Sequence, residues 1–184
     1  MACSLARRIW CGDARSSPPA LASALFLRGL GLIYLAAFIS LALQVRGLVG
    51  AQGILPLEEY FAAARAGWGT DAYWRLPSVF WLDASDTALM TGAVAGIALA
   101  VLVSFGIAQR LALVAACVLY LSFVYAGQMF MSYQWDMLLV EAGFLAIFLT
   151  GGSRIVVWLY RLLLFRFLFL AGLVKPAPAH PTWQ

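Results

Sequence analysis

The chain has 184 residues, of which 64% are hydrophobic and 11% charged, with a formal net charge of +4. Ordinary soluble domains carry roughly a quarter charged residues, so a water-facing surface cannot be built from this composition. The basic residues, all Arg except Lys175, are scattered along the chain, which argues against a nucleic-acid partner.

Residues 1–21 are polar, with Arg7, Arg8 and Arg15 and a Ser16-Ser17-Pro18-Pro19 run, and read as a cytosolic tail. Arg7-Arg8 resembles the start of a twin-arginine signal. The apolar run behind it is too long for a signal peptide and lacks a small-residue cleavage site, so it reads as a retained span.

A multi-span membrane domain is expected over residues 22–175. Its first span, 22–45, contains Arg28, whose long stem can carry the charge to the interface. Residues 47–87 form a non-cytosolic loop holding Glu58, Glu59, Asp71, Asp83 and Asp86. Within it, Leu57, Tyr60, Phe61 and Ala64 recur at helical spacing after Pro56, which predicts a short interfacial helix with Pro56 at its first position. Trp68, Tyr73, Trp74, Phe80 and Trp81 are the aromatic types that gather at headgroup level.

Further spans are expected at 88–108, 111–131, 135–150 and 155–174, because each is an apolar stretch bounded by charge or turn residues. Along the second, Gly92, Gly96, Ala100 and Ser104 recur every four residues, a face that lets helices approach closely within this chain. Thr150-Gly151-Gly152-Ser153 signals the turn between the last two spans, and Lys175-Pro176-Ala177-Pro178 stops the helix before a tail at 176–184. The fold class is thus all-α and polytopic, with about five transmembrane helices plus the interfacial segment. Arg7, Arg8, Arg15, Arg28, Arg110 and Arg154 fall on one side, which the positive-inside rule makes cytosolic.

The charges inside spans carry most information: Asp136, Glu141, Arg161 and Arg166. Charges at membrane depth are costly and need partners. If the last two spans form an antiparallel hairpin about Gly151-Gly152, residues whose numbers sum to about 303 lie at equal depth. That expectation pairs Glu141 with Arg161 and Asp136 with Arg166, as a helix lock or as a functional polar site.

Four segments carry a family resemblance: Phe26 to Tyr34, including Arg28; Gly47-Leu48-Val49-Gly50 with Gly53-Ile54-Leu55-Pro56; Ser132 to Phe144, including Gln134, Trp135, Asp136 and Glu141; and Trp158 to Lys175. They resemble the N-terminal membrane portion of the lipase maturation factor family. The resemblance implies an integral membrane protein that assists maturation of secreted lipases or other exported proteins. Its location would be the endoplasmic reticulum membrane in a eukaryote and the inner membrane in a bacterium. Members run longer, past Pro181-Thr182-Trp183, so a fragment or truncated product is expected.

No catalytic residue, metal ligand set or cofactor is assigned. His180 is the single histidine, and Cys3, Cys11 and Cys117 have no metal or disulfide spacing and read as structural. The expected partners are the lipid bilayer and client lipases or other exported proteins. Two other functions compete: a membrane-embedded enzyme distantly similar to vitamin K-dependent carboxylase membrane regions, with Glu141 or Asp136 as base, and an ion or proton pathway through the charged hairpin.

Overall fold

The computed structural model describes residues 18–149 and 154–174. The expectations for the N-terminal tail, the Gly151-Gly152 turn and the stretch from Lys175 lie outside the described residues. All regular structure within them is helical: α1 (Pro18–Val49), α2 (Leu57–Trp68), α3 (Ala72–Arg75), α4 (Asp86–Phe105), α5 (Gln109–Ala126), α6 (Gln134–Leu149) and α7 (Arg154–Val174), with 3-10 turns at Gly69–Asp71, Val79–Trp81 and Gln128–Met131.

Among the described residues, α1, α4, α5 and α7 are long and apolar enough to cross a membrane. Helix α6 has 16 residues. At roughly 1.5 Å per residue it reaches only about 24 Å, short of a hydrocarbon core of about 30 Å.

Helix α4 starts on Ser85, whose hydroxyl accepts from Ala88 N at 3.2 Å, and stops at Gly106 in the left-handed region with φ 76°. That stop allows α5 to turn back within three residues. The small-residue face of α4 packs against neighbours inside this chain. A Cβ at Gly96 would collide with the Phe38 ring of α1, and one at Gly31 would lie 2.6 Å from Ser104 Oγ. One at Gly92 would lie 3.1 Å from Phe80 and 3.3 Å from Phe123. Close backbone approach of this kind, rather than water exclusion, holds helices together in lipid.

Behind that face lies a buried aromatic column. Tyr34 and Phe38 of α1 meet Tyr120 of α5 edge-on, each with ring centroids 5.6 Å apart, and Phe123 continues the column to Phe80 at 4.8 Å.

Residues 50–85 cap one end of the bundle. Pro56 sits just before α2 rather than inside it, and Leu57, Phe61 and Ala64 form the buried face. Gly50 and Gly53 leave no room for side chains: a Cβ at Gly50 would lie 2.7 Å from Asp86 Oδ1, and one at Gly53 would lie 2.9 Å from Leu48 O. Asp86 also accepts from Ala51 N at 2.8 Å, fastening this turn to the start of α4.

The aromatic residues of the cap divide in two. Trp74 is almost fully exposed and Trp68 partly so. Phe80 is buried, and Trp81 stacks on Phe61 at 4.0 Å while donating to Leu76 O. Phe80 and Trp81 thus form the cap's interior, where the sequence had suggested headgroup contact. Burial, then the neighbouring Tyr125, raises the Tyr60 phenol above its ordinary pKa.

Candidate functional site

Helix α6 lies against α5, α7 and α1. Its middle turn receives a side-chain donor from each of those three helices. Tyr34 of α1 donates to Leu139 O at 3.0 Å, Cys117 of α5 to Val140 O at 3.6 Å, and Tyr160 of α7 to Ala142 O at 2.5 Å. A carbonyl has two lone pairs, so each can accept these contacts in addition to its helical bond. With no water in the hydrocarbon, a hydroxyl at this depth must find such an acceptor. Gly143 makes the approach of Tyr34 sterically feasible, since a Cβ there would collide with the phenolic oxygen.

Three donors on one turn fix the rotation and depth of α6, and thereby the direction of its two acids. Asp136 and Glu141 are five residues apart, which turns the helix by about 140°, so they cannot face the same neighbour. Asp136 Oδ1 accepts from Tyr120 of α5 at 2.7 Å. Glu141 faces α7 and forms an ion pair with Arg166.

This arrangement corrects both expected charge pairs. The antiparallel hairpin itself is present: the rings of Trp135 and Phe167 lie 5.1 Å apart, and Tyr160 reaches Ala142, so residues at equal depth sum to about 302. Equal depth alone does not decide which charged side chains meet. Helical side chains lean toward their own N-terminus, and in antiparallel helices those leans oppose one another. Glu141 and Arg161, level with each other, lean apart. Arg166 branches from the far side of Glu141 and leans back toward it. Arg161 instead folds over Trp158, one turn toward the start of α7, with its guanidinium carbon 5.0 Å from the ring centroid.

The remaining motif positions are dispersed. Gln134 lines a small hollow beside Arg166 and Phe167, Trp135 contacts Phe167, Gly53 and Pro56 shape the cap, and Arg28 is exposed on α1. In the sequence, Tyr34, Gly143 and Tyr160 fall within resemblance-bearing segments without an assigned role, Tyr120 goes unremarked, and Cys117 reads as structural, a reading its bond to Val140 O agrees with. The available signal was hydroxyl and thiol groups at mid-span, each of which needs an acceptor.

Beside the ion pair, α5, α6 and α7 enclose an apolar groove of about 560 Å³. Val114, Val118 and Leu121 form one wall, Phe144 and Ile147 the floor, Leu159 and Leu162 the other wall, and Glu141 with Arg166 closes one end. Among the described residues no group of three or more His, Cys, Asp or Glu is placed to hold a metal ion.

Comparison with known proteins gives a consistent match. The family model for the lipase maturation factor transmembrane domain matches residues 21–184. Lipase maturation factor 2 from Gallus gallus is 35% identical over 189 aligned residues, covering 90% of this chain and 26% of the relative. Lipase maturation factor 1 from Mus musculus is 36% identical over 173 residues, covering 81% and 29% respectively. The human lipase maturation factor 2 is 32% identical over 187 residues, covering 86% and 26%. The chain therefore spans about a quarter of the length of these relatives. No solved structure matches.

Proposed function

The chain belongs to the lipase maturation factor family, and from that membership we propose that it is a non-enzymatic membrane factor assisting the folding and assembly of exported lipases. The observation that carries this reading is the family match across residues 21–184, which takes in the four helices that, among the described residues, are long and apolar enough to cross a membrane. Both intramembrane acids have a holding role in the bundle: Asp136 is bonded to Tyr120 of α5 and Glu141 to Arg166 of α7. In a eukaryotic cell the membrane would be that of the endoplasmic reticulum, and in a bacterium the inner membrane.

The test is co-isolation of newly made client. Membranes carrying the chain are supplied with a radiolabelled exported lipase and, separately, an exported non-lipase of similar size, then cross-linked and captured through the chain. Preferential recovery of the lipase is expected. Equal recovery of both overturns the reading.

A further inference from the structure

We propose that the groove between α5, α6 and α7 holds an acyl chain of a membrane glycerophospholipid, with Arg166 bound to that lipid's phosphate or ester oxygens. The inference is independent of the client reading and starts from an unfinished hydrogen-bond requirement. A guanidinium carries five N–H donors. Among the described residues Glu141 is the hydrogen-bonding partner of Arg166, and the arginine side chain remains 55% exposed. At the edge of the hydrocarbon those outward donors face lipid phosphate and ester oxygens, which are strong acceptors for a guanidinium.

The depth of Arg166 suits a lipid headgroup. By the register of the hairpin it branches from α7 about level with Asp136, only a few Å inside the start of α6. Exposed Tyr133 and Trp135 stand at that same end, as aromatic residues do where hydrocarbon meets headgroups. The shortness of α6 brings this boundary down toward the arginine. Between them lies the hollow of about 170 Å³ lined by Gln134, Met137 and Phe167, an approach from the headgroup side.

On the other side of Arg166 the large groove offers only apolar walls. From Leu159 to Arg166 it runs about 10 Å along α7. Its 560 Å³ over that length gives room for an acyl chain lying along the walls. A polar oxygen at one end and a hydrocarbon tail along the walls is the chemistry of a phospholipid from the leaflet at the N-terminal end of α6.

The experiment uses the whole chain in phosphatidylcholine vesicles doped with phosphatidylcholine bearing a diazirine on its acyl chain. After photolysis, adducts are mapped by mass spectrometry. Wild type should concentrate adducts on Val114, Val118, Phe144 and Leu162, above the level on the lipid-facing α1 residues Leu32 and Leu43. Filling the groove by Val118→Trp, or independently by Leu162→Trp at its exposed wall, should lower groove adducts about tenfold while leaving those on Leu32 and Leu43 unchanged, which also reports that the bundle is intact. Glu141→Gln combined with Arg166→Gln removes the charged donors without stranding a charge and should cause a loss of similar order, as expected for a charge-assisted hydrogen bond. Groove adducts no more frequent than those on α1, or insensitive to all three variants, overturn the proposal. Because no lipase is present, neither result bears on the maturation reading.

Discussion

Gly143→Ala is a change of one methyl group that should destabilise the protein, although alanine is the better helix former. The added Cβ would collide with the Tyr34 hydroxyl oxygen and lie 2.9 Å and 3.2 Å from two ring carbons of the same tyrosine. The ring cannot retreat, because it is fully buried with Phe38 stacked on one side and Tyr120 edge-on to another. Overpacking of this kind costs about 1–3 kcal/mol. Displacing the phenol also forfeits its bond to Leu139 O, worth about 0.6 kcal/mol in a membrane interior. Against these stands a gain of about 1 kcal/mol from replacing a mid-helix glycine. The net expectation is a loss of about 1–2 kcal/mol. Tyr34→Phe alone should cost only about 0.6 kcal/mol. The double variant should be more stable than Gly143→Ala alone, because removing the oxygen relieves the nearest collision; the two ring carbons remain tight, so recovery is partial. Gly29→Ala, where a Cβ meets nothing within 4 Å, is the control and should be neutral or stabilising. Reversible unfolding by dodecyl sulfate in mixed micelles, followed by tryptophan fluorescence, measures all four. Gly143→Ala at or above wild-type stability, or strict additivity in the double variant, would refute the reasoning.

The ion pair predicts that Glu141→Gln and Arg166→Gln each lower stability and that their combination recovers part of the loss, while Glu141→Gln with Arg161→Gln behaves additively; the same unfolding assay reads both cycles. Gly96→Leu should sharply reduce folded protein in detergent, because its side chain would have to occupy the position of the Phe38 ring; an unchanged elution profile after heating contradicts this. For orientation, a single cysteine at Gln52 should react with an impermeant maleimide added from the non-cytosolic side and one at Ile107 should not, since Gln52 adjoins Ala51, which is bonded to Asp86 at the start of α4, whereas Ile107 follows the end of α4. The reverse pattern inverts the topology.

The all-helical membrane fold was readable because hydrocarbon leaves one common solution for a long apolar segment, and charge-free runs such as Thr87–Gln109 announce it directly. The small-residue face of α4 was readable for a similar reason: four-residue spacing has a single geometric meaning on a helix. The interior of the cap was not. Phe80 and Trp81 sit on a 3-10 turn among residues with no periodicity, where composition cannot distinguish an aromatic facing headgroups from one stacked on Phe61. Nor could periodicity show the hold on α6, since its donors come from three separate helices and its acceptors are backbone carbonyls, which carry no residue signature.

The charge pairs separate what sequence spacing encodes from what it leaves open. Numbering from the turn gives depth, because the rise per residue is constant, and the Trp135–Phe167 contact keeps to that depth within one residue of the expected sum. Contact requires two further quantities: the rotation of each helix and the axial lean of each side chain. A spacing of five residues on both helices looked like a repeated match, yet the same spacing turns each helix by about 140°. At most one acid could therefore face α7, and the other had to find a partner elsewhere. Tyr120, on α5, supplies it for Asp136. Lean then decides which arginine is reached, favouring one several residues beyond equal depth over one directly opposite. For an antiparallel hairpin in lipid, an acid should accordingly be matched with a cation on the far side of its own depth, displaced toward the N-terminal end of the acid's helix. Arg166 satisfies that rule, and Arg161 does not.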